Sequence, residues 1–145
     1  MQTLPAMQSD LEALVALRIK AMQPSLEAVG RFDPARARER FVNCFVAENT
    51  VKVIEGDQLL GFYVFVIKED HIWIDHLYID PKSQGAGIGS KIIGMIKQCA
   101  SNKQLSLRLG ALKQSRANQF YLQQGFKKIE EQEWDNIYQW SVMDS

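Results

Sequence analysis

The sequence has only two cysteines and no long apolar segment. Cys44 and Cys99 lie far apart and form no CxxC motif, so we interpret them as reduced, buried thiols rather than a disulfide or a nucleophile. No apolar run approaches the roughly 18 residues that a membrane span requires. The N-terminus also lacks the basic start and apolar centre of a signal peptide. These absences predict a cytoplasmic protein with no membrane partner.

Acidic residues are absent between Pro81 and Ile129, a basic block that contains nine lysines and arginines. The rest of the chain carries eight basic and seventeen acidic residues, so the net charge is zero. The block predicts an anionic ligand, although a solvated basic surface would have the same composition. Nucleic acid is not expected, because aromatic side chains are not interleaved with the basic ones. The length of 145 residues predicts one domain spanning residues 1–145.

The spacing of apolar residues predicts two helices in the first third of the chain. Ser9–Glu12 has the sequence of a capping box. Apolar positions then recur with helical spacing up to Pro24, which we expect to end the helix. Asp33 and Pro34 are typical of an N-cap followed by the first residue of a second helix. The segment between the two helices, Gln23–Phe32, is expected to be a loosely helical connection.

Six strands and two further helices are predicted in the remainder. Three runs of β-branched and aromatic residues joined by tight turns predict an antiparallel meander, Thr50–Glu55, Gln58–Lys68 and His71–Asp80. A helix separates the third strand from a fourth, Gln104–Gly110, so these two are expected to be parallel neighbours. A short helix from about Ser115 to Gln124 precedes two final strands, Phe126–Gln132 and Asn136–Met143.

Three glycines alternate within Ser83–Ile92, SQGAGIGSKI, where the third helix is expected to begin. Main-chain N–H groups at a helix start favour a phosphate, and glycine lets the phosphate approach the backbone. A Walker loop is excluded because Lys91 follows Ser90 rather than a glycine. A dinucleotide fingerprint is excluded because an antiparallel meander precedes the glycines and no acidic residue follows within the basic block.

Two longer motifs include these glycines and the short helix. Leu77–Ser90, LYIDPKSQGAGIGS, contains the pattern Q/R-x-x-G-x-G/A starting at Gln84. Gln114–Phe126, QSRANQFYLQQGF, follows N-x-x-A-x-x-F-Y-x-x-x-G-F, except that Gln114 replaces the asparagine. In this order of elements, the two motifs resemble the GNAT superfamily of acyl-CoA-dependent N-acetyltransferases. The resemblance covers nearly the whole chain.

The resemblance implies a GNAT-like α/β (α+β) fold. We expect a mostly antiparallel sheet of six or seven strands with a splayed parallel pair, flanked by about four helices. It also implies acetyl-CoA as co-substrate and no metal. The residues that it assigns to coenzyme binding are Leu77, Tyr78, Ile79, Gln84, Gly85, Ala86, Gly87, Ile88, Gly89, Ser90, Gln114, Asn118 and Tyr121. Lys82, Lys91 and Lys113 are candidates to neutralise phosphate charge nearby.

Direct attack of an amine on the thioester needs a base for the ammonium proton and an acid for the leaving thiolate. The resemblance assigns the acid to Tyr121, whose other interpretation is a core aromatic residue beside Phe120. For the base, Asp75 lies on the coenzyme strand, and we expect its carboxylate to be buried. His76 titrates in a suitable range, but strand alternation turns it to the opposite face. A water chain without a dedicated base is the third alternative.

The predicted function is transfer of an acetyl group from acetyl-CoA to a primary amine of a small molecule. Two alternatives are a coenzyme-binding sensor or assembly module without turnover, and a toxin that acetylates aminoacyl-tRNA. Residues 1–80, the acceptor side in the family pattern, carry eight basic and twelve acidic residues. A small cationic amine is therefore expected rather than a polyanion. The sequence leaves open the identity of the amine, the acyl chain and the formation of a homodimer.

Overall fold

The computed structural model describes residues 1–28, 30–83 and 87–142, without the side chains of Ser25 and His76. These ranges contain four α-helices: α1 Leu11–Ala28, α2 Pro34–Cys44, α3 Ile88–Lys103 and α4 Ala117–Gln123. They also contain seven strands: β1 Gln2–Pro5, β2 Thr50–Glu55, β3 Gln58–Ile67, β4 His71–Ile79, β5 Ser106–Leu112, β6 Lys127–Glu131 and β7 Asp135–Trp140. Three residues of the glycine motif, Gln84, Gly85 and Ala86, lie outside the described residues.

The strands follow the order β1-β2-β3-β4-β5-β7-β6 in the sheet. The pairs β1/β2, β2/β3, β5/β7 and β6/β7 are antiparallel. Strands β4 and β5 instead run parallel, from His71↔Ser106 to Ile74↔Leu109, and α3 provides the connection that a parallel pair needs. The predicted fold class, a mixed structure with a mostly antiparallel sheet and one parallel pair, is confirmed.

Strand β1 is not predicted by the sequence pattern. All four of its residues are exposed, so no alternation of apolar and polar positions marks it. It pairs with β2 from Gln2↔Ile54 to Pro5↔Val51. Pro5 is tolerated because a residue without an N–H fits an edge strand. The pairing with β2, rather than the composition of β1, therefore decides that this strand forms.

The chain divides into two compact units, residues 1–64 with 76–86 and residues 65–75 with 87–145. Each unit contributes its own buried apolar residues. Buried apolar residues of the first unit include Leu14, Val15, Leu17, Phe41 and Phe62. Those of the second come from β4, α3, β5, α4 and β7 and include Ile72, Ile74, Ile92, Ile93, Ile96, Leu107, Leu109, Tyr121, Tyr138 and Trp140. One domain over residues 1–145 stays a prediction.

The start of α1 differs from the predicted capping box. A short 3₁₀ turn, Gln8–Asp10, precedes the helix. The Asp10 carboxylate accepts a hydrogen bond from the Met7 N–H at 2.7 Å. The cap therefore lies at Met7, and the prediction of a cap at Ser9 is wrong. The acidic residue that serves the cap is Asp10, one position after the predicted capping serine.

Pro24 does not end α1, because it lies inside the helix, which continues to Ala28. A proline removes one backbone hydrogen bond. Across that turn, Gln23 Nε2 donates to Glu27 Oε1 at 2.6 Å, a side-chain pair that supports a helix. After the end of the helix at Ala28, Gly30 has a φ of +69°, a value that favours glycine. Glycine, and not proline, was therefore the informative stop signal.

The predicted caps of α2 and α4 are confirmed. Asp33 Oδ1 accepts from the Arg36 N–H at 3.1 Å, and Pro34 is the first residue of α2. After α4, Gly125 has φ +89°, and its N–H donates to the Leu122 carbonyl at 3.1 Å. Both ends follow from short-range chemistry, which explains why the sequence pattern predicts them.

The predicted burial of the two cysteines is wrong, because Cys44 and Cys99 are both exposed. Cys44 is the last residue of α2. Cys99 follows the apolar spacing of α3, but the side chains that this helix buries are Ile92, Ile93, Ile96 and Ala100. A stripe of buried residues on a helix is narrower than the run of apolar letters that suggests it.

Candidate functional site

The predicted coenzyme strand is the second half of β4, Leu77–Ile79, and its side chains are half-buried. Next to Tyr78, β3 has Gly61, where an added Cβ would lie 2.5 Å from the Tyr78 carbonyl oxygen. Only glycine allows this approach. The Asp80 N–H also donates to the Leu60 carbonyl at 2.8 Å. The backbone of the predicted coenzyme strand is therefore held closely by β3.

A buried arginine holds the Tyr78 side chain. Arg18 is 7% exposed and donates from Nε to the Tyr78 hydroxyl at 3.3 Å and from Nη1 to the Ala37 carbonyl at 2.5 Å. Its guanidinium lies 5.7 Å from the ring centre of Phe41 and 5.8 Å from that of Tyr78, within the range of cation–π attraction. Arg18 thus joins α1, α2 and β4, although its helical spacing alone gave no sign of this role.

The described part of the glycine loop begins at Gly87, the N-cap of α3. Its φ of +76° lies in the left-handed region, and an added Cβ would have no neighbour within 4 Å among the residues that the structure describes. The positive φ is therefore one reason for glycine here. Ile88, Gly89 and Ser90 form the first turn, where the N–H groups of a helix can bind an anion. Ser90 Oγ accepts from Gln124 Nε2 at 2.9 Å.

The second motif forms the turn before α4 and the helix itself. Gln114, the residue that departs from the family pattern, is exposed in this turn. An open hollow of about 500 Å³ is lined by the turn and by α4, including Gln114, Ser115 and Asn118. The structure therefore brings two of the predicted coenzyme-binding residues, Gln114 and Asn118, to one concave surface.

Tyr121, the predicted acid, is 6% exposed. Its ring centre lies 5.7 Å from that of Phe126 and 6.0 Å from that of Tyr138, both in tilted arrangements. Phe120 also packs on it at 5.6 Å. The ring is therefore a core aromatic, as the alternative interpretation expected. The role of its hydroxyl as an acid stays a prediction.

Asn118 makes hydrogen bonds to protein groups from both ends of its amide. Nδ2 donates to the carbonyls of Leu112 at 2.7 Å and Ser115 at 2.9 Å. Oδ1 accepts from the Tyr138 hydroxyl at 2.8 Å and from Asn136 Nδ2 at 3.0 Å. Asn136 and Tyr138 were not predicted as site residues. Their spacing of two in β7 puts them on one face of the sheet, which was the available signal.

The predicted burial of Asp75 is wrong, because this residue is exposed. Trp73 Nε1 donates to Asp75 Oδ1 at 3.3 Å, so the two residues share one face of β4. The alternating residues Ile72 and Ile74 are buried, which leaves the opposite face for the pair. His76 lies in β4, and its side chain is outside the described part of the chain. The identity of the base stays a prediction.

Two basic residues of the block form hydrogen bonds within the protein. Lys97 Nζ donates to the Gln124 carbonyl at the end of α4 and lies 5.2 Å from the Trp140 ring centre and 5.8 Å from that of Phe126. Burial lowers the pKa of the Lys97 ammonium. Arg108 Nε donates to a glutamine side chain of β7 at 2.7 Å. A basic residue in sequence is therefore not always a charge that a ligand can use.

Two further lysines of the block approach one carboxylate. Lys128 Nζ lies 2.5 Å from Glu131 Oε1, and Lys113 Nζ lies 4.0 Å from Glu131 Oε2. Lys82 and Lys91, on either side of the glycine loop, are exposed. These two remain the candidates to neutralise phosphate charge, whereas the role predicted for Lys113 competes with an ion pair.

No helix in the described ranges is both long and apolar enough to cross a membrane. Among the same residues, no group of three or more histidine, cysteine or acidic side chains could hold a metal ion.

Solved structures of low sequence identity share the fold. The PaiA N-acetyltransferase from Thermoplasma acidophilum, in complex with coenzyme A, has a TM-score of 0.77 at 16% identity, covering 97% of this chain and 98% of that one. The protein PH1933 from Pyrococcus horikoshii OT3 has a TM-score of 0.76 at 19% identity, covering 97% of both chains. The ribosomal-protein-S18-alanine N-acetyltransferase from Escherichia coli has a TM-score of 0.74 at 13% identity, covering 97% and 93%.

At the level of sequence, no curated protein matches this chain. The sequence model of the acetyltransferase (GNAT) domain does match, over residues 40–128. This range is more than half of the chain and includes both motifs, Leu77–Ser90 and Gln114–Phe126. On that match, the chain belongs to the GNAT acetyltransferase family.

Proposed function

We propose that the protein transfers an acetyl group from acetyl-CoA to the primary amine of a small molecule. The observation that carries this proposal is the family match over residues 40–128, which includes the glycine motif and the motif of Tyr121. The Thermoplasma acidophilum structure contains coenzyme A, which supports acetyl-CoA as the co-substrate.

In this proposal, the N–H groups of the first turn of α3 bind the pyrophosphate of the coenzyme. The left-handed Gly87, with no described residue within 4 Å of the position of its missing Cβ, supports this assignment. The backbone of Leu77–Ile79 pairs with the pantetheine amides like an added strand. Gln114 provides an exposed side-chain amide in place of the family's asparagine.

The reaction forms one C–N bond and breaks one C–S bond. An alkyl ammonium has a pKa near 10, so it must lose a proton before its nitrogen attacks the thioester carbon. Asp75, His76 or a water chain takes that proton. The N–H of Leu77 stabilises the developing oxyanion, and Tyr121 donates a proton to the leaving thiolate.

The charge of the first 80 residues supports a cationic amine as the acceptor, since eight basic residues stand against twelve acidic ones. A second class of acceptor comes from the comparison. The Escherichia coli protein is named for an alanine of a ribosomal protein, so a peptide with an N-terminal alanine belongs among the substrates to test.

The test is release of thiol from acetyl-CoA across a panel of acceptors. The panel contains diamines, amino acids, their decarboxylated amines, a peptide with N-terminal alanine and aminoacyl-tRNA. We expect turnover with a small amine, at a rate that rises with pH and falls modestly with added salt. Faster turnover with aminoacyl-tRNA or with the peptide would overturn the small-molecule acceptor. Tight coenzyme binding without thiol release for any acceptor would indicate the sensor instead.

A further inference from the structure

The side-chain amide of Asn118 makes all of its hydrogen bonds to other groups of the protein. A side-chain amide has two N–H donors and one oxygen with two lone pairs. Nδ2 lies 2.7 Å from the Leu112 carbonyl oxygen and 2.9 Å from that of Ser115. Oδ1 lies 2.8 Å from the Tyr138 hydroxyl and 3.0 Å from Asn136 Nδ2. Both donors and both lone pairs therefore already have partners inside the protein.

These hydrogen bonds shape the turn between β5 and α4. They connect the last residue of β5, the turn itself, α4 and β7. Backbone bonds complete the turn, since the Ser115 N–H donates to the Leu112 carbonyl at 3.0 Å and the Lys113 N–H donates to the Trp134 carbonyl at 2.9 Å. Gln114 lies between these two N–H groups and lines the hollow. Its backbone position is therefore set from both sides.

The geometry points to Asn118 as a positioning residue of the coenzyme site rather than a coenzyme ligand. It fixes the turn that presents Gln114 and the start of the helix that carries Tyr121. This inference rests on the proposed function, because it assumes that Gln114 binds the coenzyme. A turn that is ordered before binding loses less conformational freedom when the ligand arrives. Asn118 would thus raise affinity through Gln114 and without touching the coenzyme.

A double-mutant cycle separates this role from direct contact. Asn118→Ala and Gln114→Ala are each expected to weaken acetyl-CoA binding about tenfold, and the double variant to be no more than about twofold weaker than either. Calorimetry at a temperature well below the unfolding midpoint of every variant gives the dissociation constants. Additive losses, about a hundredfold in the double variant, would overturn the inference in favour of two independent contacts. Gln98→Ala, an exposed residue of α3 that does not line the hollow, is the matched control and should stay within twofold.

A milder variant covers the case in which Asn118→Ala does not fold. Tyr138→Phe removes only the 2.8 Å hydrogen bond to Asn118 Oδ1 and leaves the ring in the core. We expect about a threefold loss of acetyl-CoA affinity that disappears in the Gln114→Ala background. A lower melting temperature with unchanged affinity would show that the network is only structural.

Amide hydrogen exchange tests the same inference without coenzyme. In the Tyr138→Phe protein, the Lys113 and Ser115 amides should exchange at least about fivefold faster than in the wild type, while Gln98→Ala leaves them unchanged. Unchanged exchange at both amides would overturn the positioning role. Failure of the proposed function looks different, because the wild-type protein would then either not bind acetyl-CoA or bind it without releasing thiol for any acceptor.

Discussion

Arg18 shows what a single buried charge contributes to this protein. Its guanidinium lies against the rings of Phe41 and Tyr78 and donates to the Ala37 carbonyl. Among the residues that the structure describes, no carboxylate forms an ion pair with it. The stem of a long basic side chain also covers apolar surface, so packing and charge are separable contributions.

Arg18→Ala should lower the free energy of unfolding by roughly 2–4 kcal/mol, because it leaves a cavity between α1 and α2. Arg18→Met keeps most of the volume but removes both hydrogen bonds, so its cost should be smaller, roughly 1–2 kcal/mol. Urea unfolding followed by circular dichroism gives both values. If methionine costs as much as alanine, the hydrogen bonds dominate and the packing argument is wrong.

Tyr121→Phe tests the proposed acid. The change keeps the ring among Phe126 and Tyr138 and removes only the hydroxyl, so the fold and the coenzyme affinity should change little. Turnover should fall about a hundredfold or more, because the thiolate then leaves without a proton donor. Steady-state kinetics with acetyl-CoA and the best amine measure it. Turnover within about threefold of the wild type would mean that Tyr121 serves only as packing.

At the scale of single residues, only part of the candidate site can be predicted from the sequence, for a physical reason. The family resemblance assigns both Gln114 and Asn118 to the coenzyme, and both line one hollow, but their contact with the coenzyme stays a prediction. The motifs do not predict the hydrogen bond from the Tyr138 hydroxyl to Asn118 Oδ1, because that contact joins residues 20 positions apart. The exposure of Asp75 was missed too, since alternation assigns a face to a side chain but not what covers that face.

Glycine acts in this protein through backbone conformation at one helix end and through helix propensity inside another. Gly125 has φ +89°, and an added Cβ would make only ordinary contacts, with the nearest atom at 3.8 Å. Gly125→Ala should therefore cost roughly 1–2 kcal/mol of stability from conformation alone. Gly94, exposed within α3 with no neighbour within 4 Å, is the matched control. Gly94→Ala should gain roughly 0.5–1 kcal/mol. Urea unfolding midpoints of the two variants should move in opposite directions.

The start of α3 gives a prediction about coenzyme binding. Gly87→Glu introduces a negative charge where the pyrophosphate is proposed to bind, so affinity for acetyl-CoA should fall by about 3 kcal/mol, on the order of a hundredfold. Gly87→Ala carries the same cost of a positive φ without the charge, and its loss should stay below about tenfold. Calorimetry on both proteins separates the two effects. Equal losses would remove the phosphate from this helix end.

At the scale of helices and strands, the sequence predicts those features that short-range chemistry or the order of elements determines. The caps at Asp33 and Gly125 and the parallel neighbours β4 and β5 follow from short-range rules and from the order of elements. The sequence pattern does not predict that α1 continues through Pro24 or that β1 is a strand, because both outcomes depend on other parts of the chain. Helix α1 keeps its course through the proline while its apolar side packs on the core of the first unit, and β1 is a strand because β2 pairs with it.

Three carboxylates link the stability of the whole molecule to acid. The hydrogen bond from His71 lowers the pKa of Asp70, and the one from Lys128 lowers the pKa of Glu131. Burial acts to raise the pKa of Asp10, but hydrogen bonds from the Met7 N–H and from Lys52 outweigh it, and the net shift is downward. The unfolded chain therefore binds protons at a higher pH than the folded one at all three positions.

Because these folded-state pKa values are lowered, their contribution to stability is present above about pH 5 and is lost as the pH falls towards 3. The free energy of unfolding should decrease across this range. A variant with Asp10→Asn, Asp70→Asn and Glu131→Gln should be less stable at neutral pH and should show a flatter decrease. Urea unfolding at several pH values measures the slopes, with Gln98→Ala, a neutral surface change on α3, as control. Parallel slopes in the variant and the wild type would contradict the linkage.

Strand β6 is the last strand of the sheet, and all five of its residues are exposed. An uncovered edge offers N–H and C=O groups that can template ordered aggregation. Ile129, 46% exposed, is the apolar side chain of this strand that an added strand would pack against. It is flanked by Lys127, Lys128, Glu130 and Glu131, and the register shifts between Lys128 and Glu130. A foreign strand would have to desolvate these charges and follow an irregular edge. The charges and the irregular register of β6 therefore disfavour the addition of a foreign strand at this edge.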